Sequence, residues 1–288
     1  MTVQCWSSDV EAKVESESES ESGMPQRELI ERVKAVCRAD PGLDAALMYG
    51  SFTKDEADEH SDIEFWLFFT RPARDRLDPA EWCARIAPVS YLIHNEFGTH
   101  VAFFPQLVRG EFHFATVEHY GAVTLWPERG APVDRMIVLD RSGRLERILS
   151  ALPERVRTPT PGPGVAVSDY CDRFANWLTL AHHLVERGEL LRACDALSHV
   201  QRHLIWMARI AESSTGHWLT PSRAAEQELS PRTIDGLVAA TAAADAAGLR
   251  AALRAALAEG RRHWEAIAAP PPAALFDELS AALNGGER

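Results

Sequence analysis

The sequence predicts an α+β protein in two parts, a mixed-sheet domain followed by an all-α helical bundle. Three observations carry that prediction. Between residues 24 and 152, short apolar runs suited to strands interleave with helical patterns. The stretch PERVRTPTPGPGVAVSD then crowds proline and glycine together as a linker does. Beyond it, only helical stripes remain. The expected divisions are a disordered acidic extension at 1–23, a first domain at 24–152, a linker at 153–167 and a helical domain at 168–288.

The acidic extension ends in ESESESESG and carries six acids and one lysine, too polar to bury a core. From Pro25 to about Ala39, Leu29, Val33 and Val36 recur at helical spacing, widened by Ile30 and Cys37. Asp44–Tyr49 and Asp62–Phe69 read as buried strands. Asp78-Pro79-Ala80-Glu81 is a helix start, with an acid at the cap, proline in the first turn and glutamate three residues on. Strand-like runs follow at Val89–Ile93, Thr99–Phe104, Val108–Phe114 and Arg135–Leu139. His94-Asn95-Glu96 reads as a turn at a strand end. In the second half, Phe174, Trp177, Leu178, Ala181, Leu184 and Val185 form a helical stripe begun by Ser168-Asp169 and stopped at Gly188. A second stripe runs from Leu190 to Met207, and one helical region is expected from Asp235 to Ala269. His182-His183, within a helix, reads as packing or surface, and Trp177, Trp206 and Trp218 read as core, with an aromatic wall for an apolar ligand as the alternative.

With 46% hydrophobic and 25% charged residues, 288 residues suffice for substantial cores. The net charge of −12 and the lack of a basic patch argue against nucleic acid or an anionic membrane as partner. Five scattered cysteines without a C-x-x-C pair suggest reduced thiols and a cytoplasmic location. No apolar run reaches bilayer length, and no signal peptide is expected.

The chemistry concentrates in YGSFTKDEADEHSDIEFWLFF, Tyr49–Phe69. Strand alternation puts Asp62 and Glu64 on one face, where like charges repel and lose hydration unless a cation offsets them. Two carboxylates so placed suit Mg²⁺, which prefers oxygen ligands and completes its shell with water or phosphate. Gly50 permits a tight turn, Ser51 can hold a phosphate oxygen, and Lys54 adds positive charge for a polyphosphate such as a nucleoside triphosphate. Solvated acids at a loop-to-strand junction would be the plainer reading of the same residues. On Val108–Phe114 (VRGEFHF), Arg109, Glu111 and His113 share a face. Glu111 could take a proton from an attacking hydroxyl or complete a metal site, and Arg109 and His113 are candidate substrate contacts.

Gly50-Ser51, nine residues, then Ser61-Asp62-Ile63-Glu64 resembles the signature of the polymerase-β-like nucleotidyltransferase superfamily. Asp55 departs from it, standing where many members carry glycine. MYGSFTKDEADEHSDIEF, NEFGTH and LVRGEFHF, in that order, resemble the larger two-domain lincosamide nucleotidyltransferases. The resemblance implies a polymerase-β-like domain, metal binding by Asp62 and Glu64, and Glu111 as general base. It also implies transfer of AMP from ATP to a lincosamide sugar hydroxyl, and a homodimer with a helical C-terminal domain. Two rivals remain: an aminoglycoside adenylyltransferase, and a nucleotidyltransferase fold used for interaction without catalysis.

Overall fold

The computed structural model describes residues 23–154 and 166–285. The acidic extension up to residue 22 and nearly all of the expected linker therefore lie outside the described residues. The chain divides into two compact units, 1–156 and 157–288.

The first unit is built on a six-stranded mixed sheet of order β3-β4-β5-β2-β1-β6. Its strands are β1 (Leu43–Tyr49), β2 (Ile63–Phe69), β3 (Tyr91–His94), β4 (His100–Phe103), β5 (Arg109–Thr116) and β6 (Ile137–Asp140). Only β2 and β5 run parallel; the other neighbours are antiparallel. Helix α1 (Pro25–Ala39) matches its expected span, and both α1 and α2 (Pro79–Ala84) cover one face of the sheet. That face buries Ile63, Phe65, Leu67, Phe112 and Phe114 against Leu29, Val33, Trp82 and Cys83. Asp78 caps α2 as expected, accepting hydrogen bonds from the backbone N–H groups of Ala80 and Glu81. Asn95 likewise forms the expected turn between β3 and β4, its Oδ1 accepting from the N–H groups of Phe97 and Thr99.

The opposite face is divided. At one end, Ala45, Leu47 and Phe68 are buried under Tyr120, Val123, Met136, Leu145 and Leu149. These come from a 3₁₀ segment (Val117–Leu125), the turn Val133–Met136 and helix α3 (Arg144–Ala151). Strand periodicity alone did not reveal this cover. The run expected as a strand from Arg135 begins in that helical turn and becomes β6 only at Ile137. The other end of the same face carries the polar residues described below.

The second unit packs α4 (Val167–Glu186), α5 (Leu190–Ala211), α6 (Pro231–Ala239), α7 (Ala246–Ile267) and α8 (Ala273–Gly285) around one core. Phe174, Leu178, Leu197, Val200, Leu204 and Met207 lie in it, as their spacing predicts. The single helix expected from Asp235 to Ala269 is corrected to two. The alanine-rich run breaks after Ala239 because Thr241 Oγ1 donates back to the Val238 carbonyl and Asp245 caps α7 through the Gly248 N–H, at 2.7 Å. Alanine content favours helix, but it does not override a capping residue. Arg209 is fully buried and holds the loop after α5, binding the carbonyls of Ser214, Pro221 and Arg223 and the Glu228 carboxylate.

Candidate active site

Parallel pairing of β2 with β5 sets Glu64 directly opposite Glu111 and Trp66 opposite His113. Antiparallel pairing of β1 with β2 adds Tyr49 beside Glu64. Side chains alternate along each strand, so Tyr49, Glu64 and Glu111 form one row on the polar end of the sheet face. Asp62 precedes β2 by one residue and reaches the same face. Like charges directly opposite on neighbouring strands are unfavourable, so this row is assembled against an electrostatic cost.

Arg109 offsets part of it. Its Nη1 donates to Asp62 Oδ2 at 2.5 Å and its Nη2 to Glu111 Oε1 at 2.8 Å, so one guanidinium spans both acids. Burial pushes the Asp62 carboxyl above the usual aspartate range; Arg109 draws it back down and Glu111 raises it again. Burial also pushes the Tyr49 phenol up, with Glu64 and Glu111 adding to the effect. Burial holds the His113 imidazole below its usual range, opposed by Glu111. His113 faces the Thr99 hydroxyl, with Nε2 at 3.1 Å.

The Gly50-Ser51 turn adjoins this row. Gly50 has φ of 79° and ψ of −157°, a backbone region that essentially only glycine occupies. Ser51 is buried and opens the short helical turn Ser51–Lys54. Asp55 closes that turn at φ of 59°, in the left-handed region. The departure from glycine is thus accommodated, since aspartate is among the residues that tolerate this conformation, and Arg135 pairs with its carboxylate. The Lys54 stem lies against Gly130, where a β-carbon would come within 2.6 Å of its Cε.

The structure therefore gathers Asp62, Glu64, Arg109 and Glu111, with Gly50-Ser51 alongside, and sets His113 one row further along. Alternation did not single out the aromatic neighbours. Trp66 lies 4.9 Å from His113 and 5.7 Å from Trp126, and Trp126 lies 5.8 Å from Tyr49, between ring centroids. Trp66 could have been placed from its parity with Glu64 on the same strand, whereas Tyr49 depends on the cross-strand register of β1 with β2. Trp126 could not be placed, because a non-repetitive segment brings it there.

Hard carboxylate oxygens suit Mg²⁺ in kind. Among the described residues, no three His, Cys, Asp or Glu side chains are gathered closely enough to hold a metal ion unaided. A cation bound by the Asp62–Glu64 pair would thus take its remaining ligands from water or substrate, as Mg²⁺ commonly does.

Residues 165–270 match the family model described as lincosamide nucleotidyltransferase-like, C-terminal domain. This bears out, in the helical half, the resemblance read from the sequence. Among solved structures, an aminoglycoside 6-adenyltransferase from Bacillus subtilis aligns at 13% identity and a TM-score of 0.40, covering 90% of this chain and 96% of that one. No curated protein matches. Among the described residues, no helix is long and apolar enough to cross a membrane.

Proposed function

We propose that the protein is an antibiotic-inactivating nucleotidyltransferase that transfers AMP from ATP to a sugar hydroxyl of a lincosamide, releasing pyrophosphate. The observation that carries the reading is the register that sets Glu64 beside Glu111, with Asp62 tied into the same cluster through Arg109. Glu64 and Glu111 on neighbouring strands, with Asp62 just before β2 and a glycine-serine turn beside them, suit a site for a metal-bound triphosphate.

In this reading Glu111 accepts the proton of the acceptor hydroxyl as its oxygen bonds to the α-phosphorus and the bond to pyrophosphate breaks. Asp62 and Glu64 would hold Mg²⁺, and the ion would supply charge stabilisation for phosphoryl transfer. Gly50 and Ser51 line the phosphates, and Lys54 adds positive charge on that side. Arg109 and His113 contact substrate. By resemblance, the chain works in the cytoplasm as a homodimer, which light scattering on the purified protein tests. A mass spectrum of lincomycin or clindamycin incubated with protein, ATP and Mg²⁺ should show the drug gaining one AMP. An unchanged drug for every lincosamide refutes the assignment, and adenylylation of aminoglycosides in the same assay would transfer it to that drug class.

A further inference from the structure

Arg209 and Arg109 hold carboxylates in different ways. Arg209 is fully buried and bound on several sides by backbone carbonyls, a fixture of its loop. The Arg109 side chain is 42% exposed and pairs with Asp62 and Glu111. Those two acids are 26% and 23% exposed, so the guanidinium forms a solvent-facing cover over them.

We propose that Arg109 is a resident counter-ion that a divalent cation displaces on entering the site. The inference rests on the nucleotidyltransferase reading above. Without a cation, three carboxylates on and just before adjacent strands would repel one another, and a guanidinium is the side chain best shaped to bridge two of them. No ready-made cage of three metal-ligating side chains is present among the described residues, in keeping with a site organised around the arginine. Arg109 is partly exposed, so it can turn outward without crossing a packed core. Once displaced, its fork of N–H donors suits the phosphate oxygens that arrive with the cation. Arg109 thus positions Asp62 and Glu111 before substrate binds, and it competes with the metal for Asp62.

Competition and simple structural support predict opposite outcomes. Mn²⁺ serves as a spectroscopic probe, and its free concentration is read by electron paramagnetic resonance with the full chain and no nucleotide. If Arg109 competes, Arg109→Gln binds Mn²⁺ about tenfold more tightly than the unaltered protein, as expected when a charge-assisted pair no longer has to be broken. Arg109→Lys, which keeps the charge but cannot span both acids, falls between them. If Arg109 only supports the acids, both variants bind more weakly. Equal or weaker binding by the two variants overturns the proposal, and Arg109→Lys alone decides it should Arg109→Gln fail to fold. If the unaltered protein binds Mn²⁺ but the variants gain nothing, the nucleotidyltransferase reading stands and only the counter-ion role falls. If no form binds Mn²⁺ with or without ATP, both fall.

Discussion

The Glu64 carboxylate closes directly over the α-carbon of Gly50, where an added β-carbon would stand 1.4 Å from Oε2. Two constraints therefore meet at Gly50, its backbone angles and the space taken by an acid of the candidate metal site. Gly50→Ala should lose about 1–3 kcal/mol from backbone strain alone, with a further loss from pushing Glu64 aside. Urea denaturation of Gly50→Ala, Glu64→Ala and the double variant separates the two contributions. The cycle should show the glycine substitution costing less once Glu64 is truncated. Additive losses would mean that Glu64 gives way freely.

Glu111→Gln keeps the shape of the side chain and can still accept a hydrogen bond from Arg109, but it cannot act as a base. Its kcat should fall by about 10²–10⁴-fold, while ATP affinity, measured by calorimetry, changes little. A collapse of ATP–Mg²⁺ affinity would instead make Glu111 a metal ligand. If neither quantity changes, His113 becomes the next candidate base.

Asp62 carries a stability prediction whose sign follows from its raised carboxyl pKa, caused first by burial. A folded-state pKa above the unfolded one favours the protonated form. That contribution is fully present below the unfolded aspartate range and is lost as pH rises through the higher folded value. Metal-free Asp62→Asn should therefore melt at or above the unaltered protein at neutral pH, and the difference should vanish towards pH 4. Activity of the same variant should fall by orders of magnitude. A variant that melts lower at neutral pH would show that the Arg109 contact outweighs burial.

His263 gives the helical unit an acid sensitivity of its own. It is fully buried, and its pKa is lowered from 6.5 to about 4, chiefly by burial and then by Arg262, against the opposing pull of Glu259 and Glu212. Stability from the neutral imidazole is present above pH 6.5 and lost as pH falls towards about 4. Between pH 7 and pH 4.5, the melting temperature of the unaltered protein should drop further than that of His263→Gln. Parallel decreases would remove His263 from the account.

Much of the fold was legible because its signals are local. Leu29 and Val33 marked the buried face of α1, and Asp78 marked the start of α2, since each acts within one or two turns. The break between α6 and α7 was missed because helix propensity favoured alanine, whereas Asp245 interrupts the run by capping a new helix. The cover formed by Tyr120, Val123 and Leu149 was missed for a different reason. It has no single period and is recognisable only against the sheet it buries.

The candidate site divides along the same line. Alternation within a strand is a property of neighbouring residues, so the sequence alone determined that Glu64 shares a face with Trp66, and Arg109 with Glu111 and His113. It also determined that a glycine-serine turn leads into that region. Which strands become neighbours, and in what register, depends on contacts between residues far apart in the chain. Only the tertiary structure decided that β2 and β5 pair in parallel with Glu64 opposite Glu111, and that Arg109 reaches Asp62 across 47 positions of sequence. Like charges would oppose that register locally; it is held by the Phe65, Leu67, Phe112 and Phe114 side chains buried on the other face.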